Sequence, residues 1–230
     1  MVSDRFERML AAMQPTGGGR PSSWRLCGAG ADILAVFGVG IMLMSSDLPL
    51  GSLCTTNAIS ALIEELQYTL GEGPCVDAYR QDRVVSEPDL ADARTPRWFA
   101  FTPKALDAGI HAVFGFPLRV GAIRLGALNL LQDRPGSLSD DQHADALVLA
   151  DVVAQWVLDR QANAPPGVLA EALEHTDLHS VVHNAAGAIS VQLGVSVIEA
   201  MIRLRGYAFA NDRMLGEVAR DVVTRKLRFG

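Results

Sequence analysis

Between Val113 and Leu131 the chain reads as two apolar runs, Val113–Val120 and Ile123–Leu131, with Gly121 between them. Two β-rich runs around a glycine turn predict an antiparallel hairpin. Upstream, Ile59–Tyr68 and Trp98–Ala108 carry apolar residues at helical spacing. Ser139–Asp140–Asp141–Gln142 has the form of a capping box, in which serine and glutamine side chains satisfy each other's backbone N–H. It opens a long helix toward Arg160. The run Ala31–Met44 fits neither pattern: glycine breaks it too often for a good helix, and it is long for one hairpin arm. Gly17–Gly18–Gly19 separates an N-terminal helix from the rest of the chain. Helices alternate with strands, so residues 20–162 predict an α+β unit, an antiparallel sheet with helices packed on it.

The period changes after Asn163–Ala164–Pro165–Pro166–Gly167, where paired prolines make a stiff joint. Ala185, Ile189 and Leu193 form a first helical stripe, and Gly194 stands where a helix would end in a left-handed residue. Ser196–Val197–Ile198–Glu199 is a second capping box. The helix it opens has one apolar face at Val197, Ala200, Met201, Leu204 and Ala208, and a third stripe runs Leu215, Val218, Ala219, Val222. The chain divides into an N-terminal helix and glycine-rich linker (1–19), an α+β unit (20–162), a joint (163–168) and a small all-α unit of three helices (169–230).

Charge separates the same two halves. The whole chain carries a formal net charge of −6. Residues 1–164 hold 13 Lys+Arg against 19 Asp+Glu, whereas residues 201–230 hold seven basic residues and three acidic ones. A basic end on an acidic chain suits an anionic partner. Tyr207 and Phe209 lie among the arginines and offer stacking surface for unpaired bases. No run reaches the ~18 apolar residues of a membrane span. The N-terminus is charged and lacks a signal-peptide core, so a cytoplasmic protein with no membrane contact is expected. Three cysteines without a CxxC argue against a disulfide framework or a zinc knuckle. His175, His179 and His183 share one helical face, but nothing else converges on them, and no metal site is expected. A haem ligand at His111 or His143 is not favoured either.

The C-terminal stripes resemble a known family. His183–Asn184–Ala185–Ala186–Gly187–Ala188–Ile189, Glu199–Ala200, Leu204–Arg205–Gly206–Tyr207–Ala208 and Glu217–Val218–Ala219 occur in the order and spacing of an ANTAR domain, an RNA-binding module of bacterial transcription antitermination. The likeness covers His183 to Phe229, and the family's usual lysine is Ala186 here, which removes a phosphate contact. It implies that Gly187, Ala188 and Arg205 face RNA, with Arg203, Asn211 and Arg213 in support. Small residues admit the RNA backbone, and arginine supplies charge and a planar donor fork. The resemblance further implies a homodimer that binds paired hairpins in a nascent transcript and keeps a terminator from forming.

The N-terminal unit resembles the GAF domain. Gly71–Glu72–Gly73–Pro74–Cys75–Val76–Asp77–Ala78 is similar to that family's central segment. Phe116–Pro117–Leu118 before Leu125–Gly126–Ala127–Leu128–Asn129–Leu130 is similar to its closing hairpin. The resemblance implies a sensor that binds an unidentified small molecule between the sheet and its helices; which cofactor, if any, is not implied. Some GAF proteins are methionine sulfoxide reductases with cysteines in this region, which makes Cys75 a candidate redox residue. That chemistry needs a low-pKa thiolate and a resolving thiol, which Cys27 or Cys54 could supply only by approaching in space. The expected protein is therefore no enzyme but a signal-responsive RNA-binding regulator. The alternatives are a thiol enzyme or redox sensor using Cys75, or a DNA-binding regulator that uses residues 196–210 and 214–227 as a helix-turn-helix.

Overall fold

The computed structural model describes residues 2–13, 23–45, 48–92, 97–163 and 177–230. They fall into two compact units, Met1–Leu173 and Glu174–Gly230. From Ala164 onward, the expected proline joint lies outside the described residues, as do Gly17–Gly18–Gly19 and His175.

The N-terminal unit runs α1 (Val2–Met13), α2 (Ser23–Leu34), β1 (Gly38–Ser45), β2 (Leu48–Thr55), α3 (Ala58–Leu70), α4 (Pro74–Gln81), β3 (Val85–Glu87), α5 (Phe101–Asp107), β4 (Ala112–Val120), β5 (Ile123–Gln132) and α6 (Asp140–Asn163). The five strands form one antiparallel sheet in the order β2-β1-β5-β4-β3. The predicted hairpin is β4–β5, which turns through Gly121 at φ 58°. The predicted capping box holds: Ser139 N donates to Gln142 Oε1 at 2.9 Å, and Gln142 N donates to Ser139 Oγ at 3.2 Å. The ambiguous run Ala31–Met44 is the end of one helix and the start of one strand, because Ala35 takes a left-handed φ of 49° and stops α2. The Trp98–Ala108 helix begins three residues later than the spacing suggests. Trp98 has φ 54°, and the Glu72 carboxylate accepts from Ala100 N and Phe101 N at 2.7 Å, fixing where α5 starts.

Strand alternation gives the sheet two different faces. Val39, Ile41, Leu43, Phe114, Phe116, Leu118, Leu128 and Leu130 point to one, where α1, α2 and α6 close the main apolar core. Arg5 of α1 pairs with Asp141 and Asp145 of α6 at the rim of that layer. On the other face lie α3, α4 and α5. Contrary to the expectation from cysteine count, Cys27 of α2 and Cys54 of β2 form a disulfide. Three cysteines without a motif allow three alternative pairings, and only the fold brings α2 onto β2.

The C-terminal unit has three described helices, α7 (Asp177–Leu193), α8 (Val197–Ala210) and α9 (Leu215–Val223). Gly194, at φ 65°, breaks α7 from α8, and the two helices meet at 106°. The predicted core is present in Ala185, Ile189, Ala200, Met201, Leu204, Ala208, Leu215, Val218, Ala219 and Val222, all buried. Val197 is not part of it; it lies at the rim and is exposed. Half of the second capping box forms. Ser196 Oγ accepts from Glu199 N at 3.2 Å, but the Glu199 side chain turns to Arg203 instead of returning to the cap. No single helix among the described residues is long and apolar enough to cross a membrane.

Candidate functional site

Helix α3 turns a polar edge toward the sheet. Its buried positions, Ser60, Ile63, Glu64, Gln67 and Tyr68, recur at three and four residues, so one stripe carries both apolar and polar groups inward. Asn57 caps the helix by accepting from Ser60 N at 2.8 Å, and Gly71 ends it at φ 68°. Helix α4 then starts on the bare backbone of β4: a Cβ at Gly115 would lie 2.3 Å from Pro74 O. The same device operates at Gly40 of β1, where a Cβ would lie 2.6 Å from Glu64 Oε1. Both glycines let polar helix positions approach the sheet more closely than a side chain would permit.

This packing brings Glu64, Gln67, Cys75 and Asn129 together. Asn129 Nδ2 donates to Glu64 Oε1 at 3.1 Å, and Cys75 N donates to Gln67 Oε1 at 2.8 Å. The Cys75 thiol lies 4.0 Å from Glu64 Oε1 and 3.9 Å from Ala127 O. All four side chains are buried. Glu64 Oε2, Gln67 Nε2 and Asn129 Oδ1 have no hydrogen-bond partner among the described residues. Burial pushes the Glu64 pKa from 4.5 up to about 8, against the opposing effect of the Asn129 bond. Glu64 is therefore largely a neutral carboxylic acid at pH 7, able to donate as well as accept. A neutral acid, two amides and a thiol thus form a small hydrogen-bonding set buried between α3, α4 and the sheet, with atoms left to bond.

Cys75 does not match the requirements of a redox thiol. Burial raises its pKa well above the usual thiol range, and the neighbouring Glu64 raises it further. A nucleophilic cysteine needs the opposite environment. Cys27 and Cys54 are bonded to each other and belong to the α2 face of the sheet, so neither is placed to resolve a Cys75 intermediate. The approach in space that a resolving thiol would need is not made, because α2 and α4 pack on opposite faces of the sheet.

Around the rim of α4, Asp77 Oδ2 accepts from Trp98 Nε1 at 3.0 Å and pairs with Arg97 at 3.4 Å. The Arg97 guanidinium lies 4.8 Å over the Trp98 ring. These contacts, with Glu72 at the start of α5, hold the segment before α5 in place although Trp98 adopts a left-handed backbone.

In the C-terminal unit the residues implied by the ANTAR resemblance separate. Gly187 and Ala188 are partly exposed on α7, and a Cβ at Gly187 would meet nothing within 4 Å. Arg205 is half-buried on α8, close enough to α7 that its charge, after desolvation, lowers the His183 pKa. Three supporting residues are already engaged. Arg203 pairs with Glu199 at 2.6 Å, Arg213 pairs with Asp221 at 2.7 Å, and Asn211 Nδ2 donates to Tyr207 O at 2.8 Å as the C-cap of α8. Ala186, where the family's lysine stands, is fully buried, so this position points into the helix bundle.

Unengaged charge lies elsewhere. Arg220, Arg225, Lys226 and Arg228 are exposed, and none has a carboxylate partner among the described residues. The tail that carries the last three folds back: Phe229 N donates to Gln192 Oε1 at 3.0 Å, and the Phe229 ring meets Tyr207 edge-on at 5.4 Å. The Arg213–Asp221 pair joins residues eight apart, on either side of the start of α9, where sequence spacing gives no signal of it. Among the described residues no three His, Cys, Asp or Glu side chains form a metal-holding group; the His179 side chain lies outside them.

The GAF domain family model matches residues 28–157. No curated protein matches the chain. The GAF domain of a phosphoenolpyruvate-protein phosphotransferase from Coxiella burnetii is 12% identical with a TM-score of 0.53, over 70% of this chain and 95% of that one. The GAF domain of an Acinetobacter phosphoenolpyruvate-protein phosphotransferase is 13% identical with a TM-score of 0.52, over 71% and 96%. At such identities these structures share the fold with the N-terminal unit. The match spans more than half of the sequence, and the chain belongs to the GAF domain family of ligand- and signal-sensing modules.

Proposed function

We propose that this protein is a signal-responsive regulator whose C-terminal unit binds hairpin RNA in nascent transcripts and promotes antitermination. The observation that carries the reading is the group of four exposed cations, Arg220, Arg225, Lys226 and Arg228, on a three-helix unit whose sequence order matches the ANTAR pattern. Cations that no neighbouring carboxylate holds are available to phosphates, and they contribute affinity by releasing counterions. Arg205, half-buried with its Nε and Nη2 inside the unit, contributes by setting how α8 sits on α7, and the open flank at Gly187 and Ala188 allows close approach of the RNA backbone. Arg203, Asn211 and Arg213 contribute through the shape of the unit, since each is held by a neighbour.

A DNA-binding helix-turn-helix would use α8 and α9, with α9 as the recognition helix. The first turn of α9, however, buries Leu215, Gly216 and Val218 and exposes the acidic Glu217, where a recognition helix needs donors for phosphates and base edges. This favours RNA hairpins over duplex DNA. In the GAF unit, a small molecule engages Glu64, Gln67 and Asn129 through their unpartnered atoms, and the regulator acts as a homodimer. Mechanistically, a protein with higher affinity for the antiterminator hairpins than for the terminator shifts the RNA equilibrium by that difference. Single-round transcription through a terminator preceded by two small-loop hairpins tests this. Read-through should rise with protein concentration and fall when Arg225, Lys226 and Arg228 are changed together to alanine. Read-through that ignores the protein would remove the proposal.

A further inference from the structure

Cys27 and Cys54 meet where strand β2 bulges. In its ladder with β1, Ile41 pairs with Cys54 and Met42 with Ser52, so Leu53 is an extra residue. A regular strand would send Leu53 and Cys54 to opposite faces, but both belong to the apolar core that α2 closes. Strand β2 is the outer strand of the sheet, and Cys54 on it is partly exposed, whereas Cys27 is fully buried. A reagent from solution therefore meets the pair at Cys54. The helix at the other end of the bond is weak by composition. Helix α2 carries Gly28 and Gly30 in its middle, where glycine is the poorest helix former after proline. A Cβ at Gly28 would meet nothing within 4 Å, so no packing contact among the described residues requires that glycine. Helix α2 is also what α6 is set against. A Cβ at Gly30 would lie 2.7 Å from Leu149 Cδ2, and Gln142 Nε2 donates to Leu34 O at 2.8 Å.

We propose that Cys27–Cys54 is a reversible thiol–disulfide site, taking a hydroperoxide in one direction and a dithiol in the other, and that its state sets how firmly α2 holds α6. The inference goes beyond the RNA reading and draws one point from it. A chain beside nascent transcripts works where most cysteines are kept reduced, so this bond forms there only on oxidation. In oxidation the Cys54 thiolate attacks a hydroperoxide oxygen, and with one proton from solvent gives a sulfenic acid and an alcohol. The Cys27 thiol then attacks that sulfur and water leaves. Two thiols and one hydroperoxide become one disulfide, one alcohol and one water. In reduction a thiolate of the dithiol attacks Cys54 Sγ and expels the Cys27 thiolate. The reagent's second thiol then attacks the mixed disulfide and releases Cys54, so both cysteines end protonated and the reagent ends as a disulfide. The bonded form ties α2 to β2 and keeps its bare flank at Gly30 on Leu149. The dithiol form leaves α2 to its own weak propensity, and α6 loses the support that Gln142 and Leu149 rest on.

The test uses the full chain in glutathione buffers graded from oxidising to reducing, with thiols trapped by alkylation and counted by mass spectrometry. Cys27 and Cys54 should gain label together, with half conversion inside the glutathione range, while Cys75 counts as free throughout. A stoichiometric hydroperoxide should then restore the bond. In hydrogen exchange, α2 and the first half of α6 should exchange at least about tenfold faster in the reduced form, with α3 and α4 unchanged. Cys27→Ala with Cys54→Ala should show the faster exchange under both conditions. A bond that survives the most reducing glutathione buffer would overturn the proposal and leave a structural cross-link. Equal exchange of α2 and α6 in the two forms would overturn the claim that the bond governs them. Neither readout contains RNA, so read-through that ignores the protein would remove the RNA reading without producing either of these results.

Discussion

The sheet of the N-terminal unit is covered on both faces, whereas α8 of the C-terminal unit is covered on one. In the first unit the notable groups are polar and inside: Glu64, Gln67 and Asn129 are buried with hydrogen-bonding atoms left over. In the second they are apolar or cationic and outside: Ile198, Ile202 and Phe209 on α8, Arg220 on α9, and Arg225, Lys226 and Arg228 beyond it. The difference follows from size. A five-stranded sheet between two helix layers has interior enough to hide a polar set, and a unit of three short helices does not. The first arrangement suits a receptor for something small, and the second suits contact with something large.

The sharpest way to break the comparison is in the core. Phe116→Ala, at a fully buried ring packed on His143, should cost the N-terminal unit about 3–5 kcal/mol. A denaturant melt followed by tryptophan fluorescence, whose three sources Trp24, Trp98 and Trp156 all precede the joint, would read the loss. The buried polar set predicts a pH dependence of definite sign. The folded pKa of Glu64 is raised to about 8 from its ordinary 4.5. Its contribution to stability is therefore fully present below about 4.5 and is lost as pH rises through 8, at about 1.4 kcal/mol for each pH unit between the two values. Urea melts at several pH values should show this decline in the wild type and its loss in Glu64→Gln. Reduction of Cys27–Cys54, which span 27 residues, should cost about 3 kcal/mol. Melts with and without a dithiol would show it.

Much of this contrast was legible in the sequence. The hairpin around Gly121, the capping box at Ser139 and the buried stripes of α8 and α9 follow from local period and cap chemistry. Local rules cannot see partners that the fold supplies. Arg213 meets Asp221 across a turn, Cys27 meets Cys54 across a layer, and Asn129 meets Glu64 65 residues away. For the same reason Arg213 reads as available in sequence and is engaged in the fold, whereas Arg203 with Glu199 and Asn211 with Tyr207 O are local pairs four residues apart. Glu64, Gln67 and Asn129 were absent from the expected site because lone polar residues in apolar runs carry no motif. The one signal was the polar pair on the inward stripe of a helix.

The smaller effects sharpen the C-terminal half. Arg213→Ala removes a partly exposed ion pair, so it should change stability by no more than about 1 kcal/mol and leave RNA affinity nearly unchanged. Circular dichroism melts and a hairpin titration would check both halves of that statement. A large loss of affinity in Arg213→Ala with stability intact would return this residue to the RNA surface.

The most direct test of the central claim is equilibrium binding of a labelled RNA with two tandem small-loop hairpins at physiological salt, with duplex DNA and single-hairpin RNA as competitors. The account predicts preference for the tandem hairpins, lost in Arg205→Ala. It also predicts a salt slope that becomes shallower by roughly 2–3 when Arg225, Lys226 and Arg228 are replaced together. Equal weak binding to every nucleic acid, with the same salt slope in wild type and variant, would contradict it.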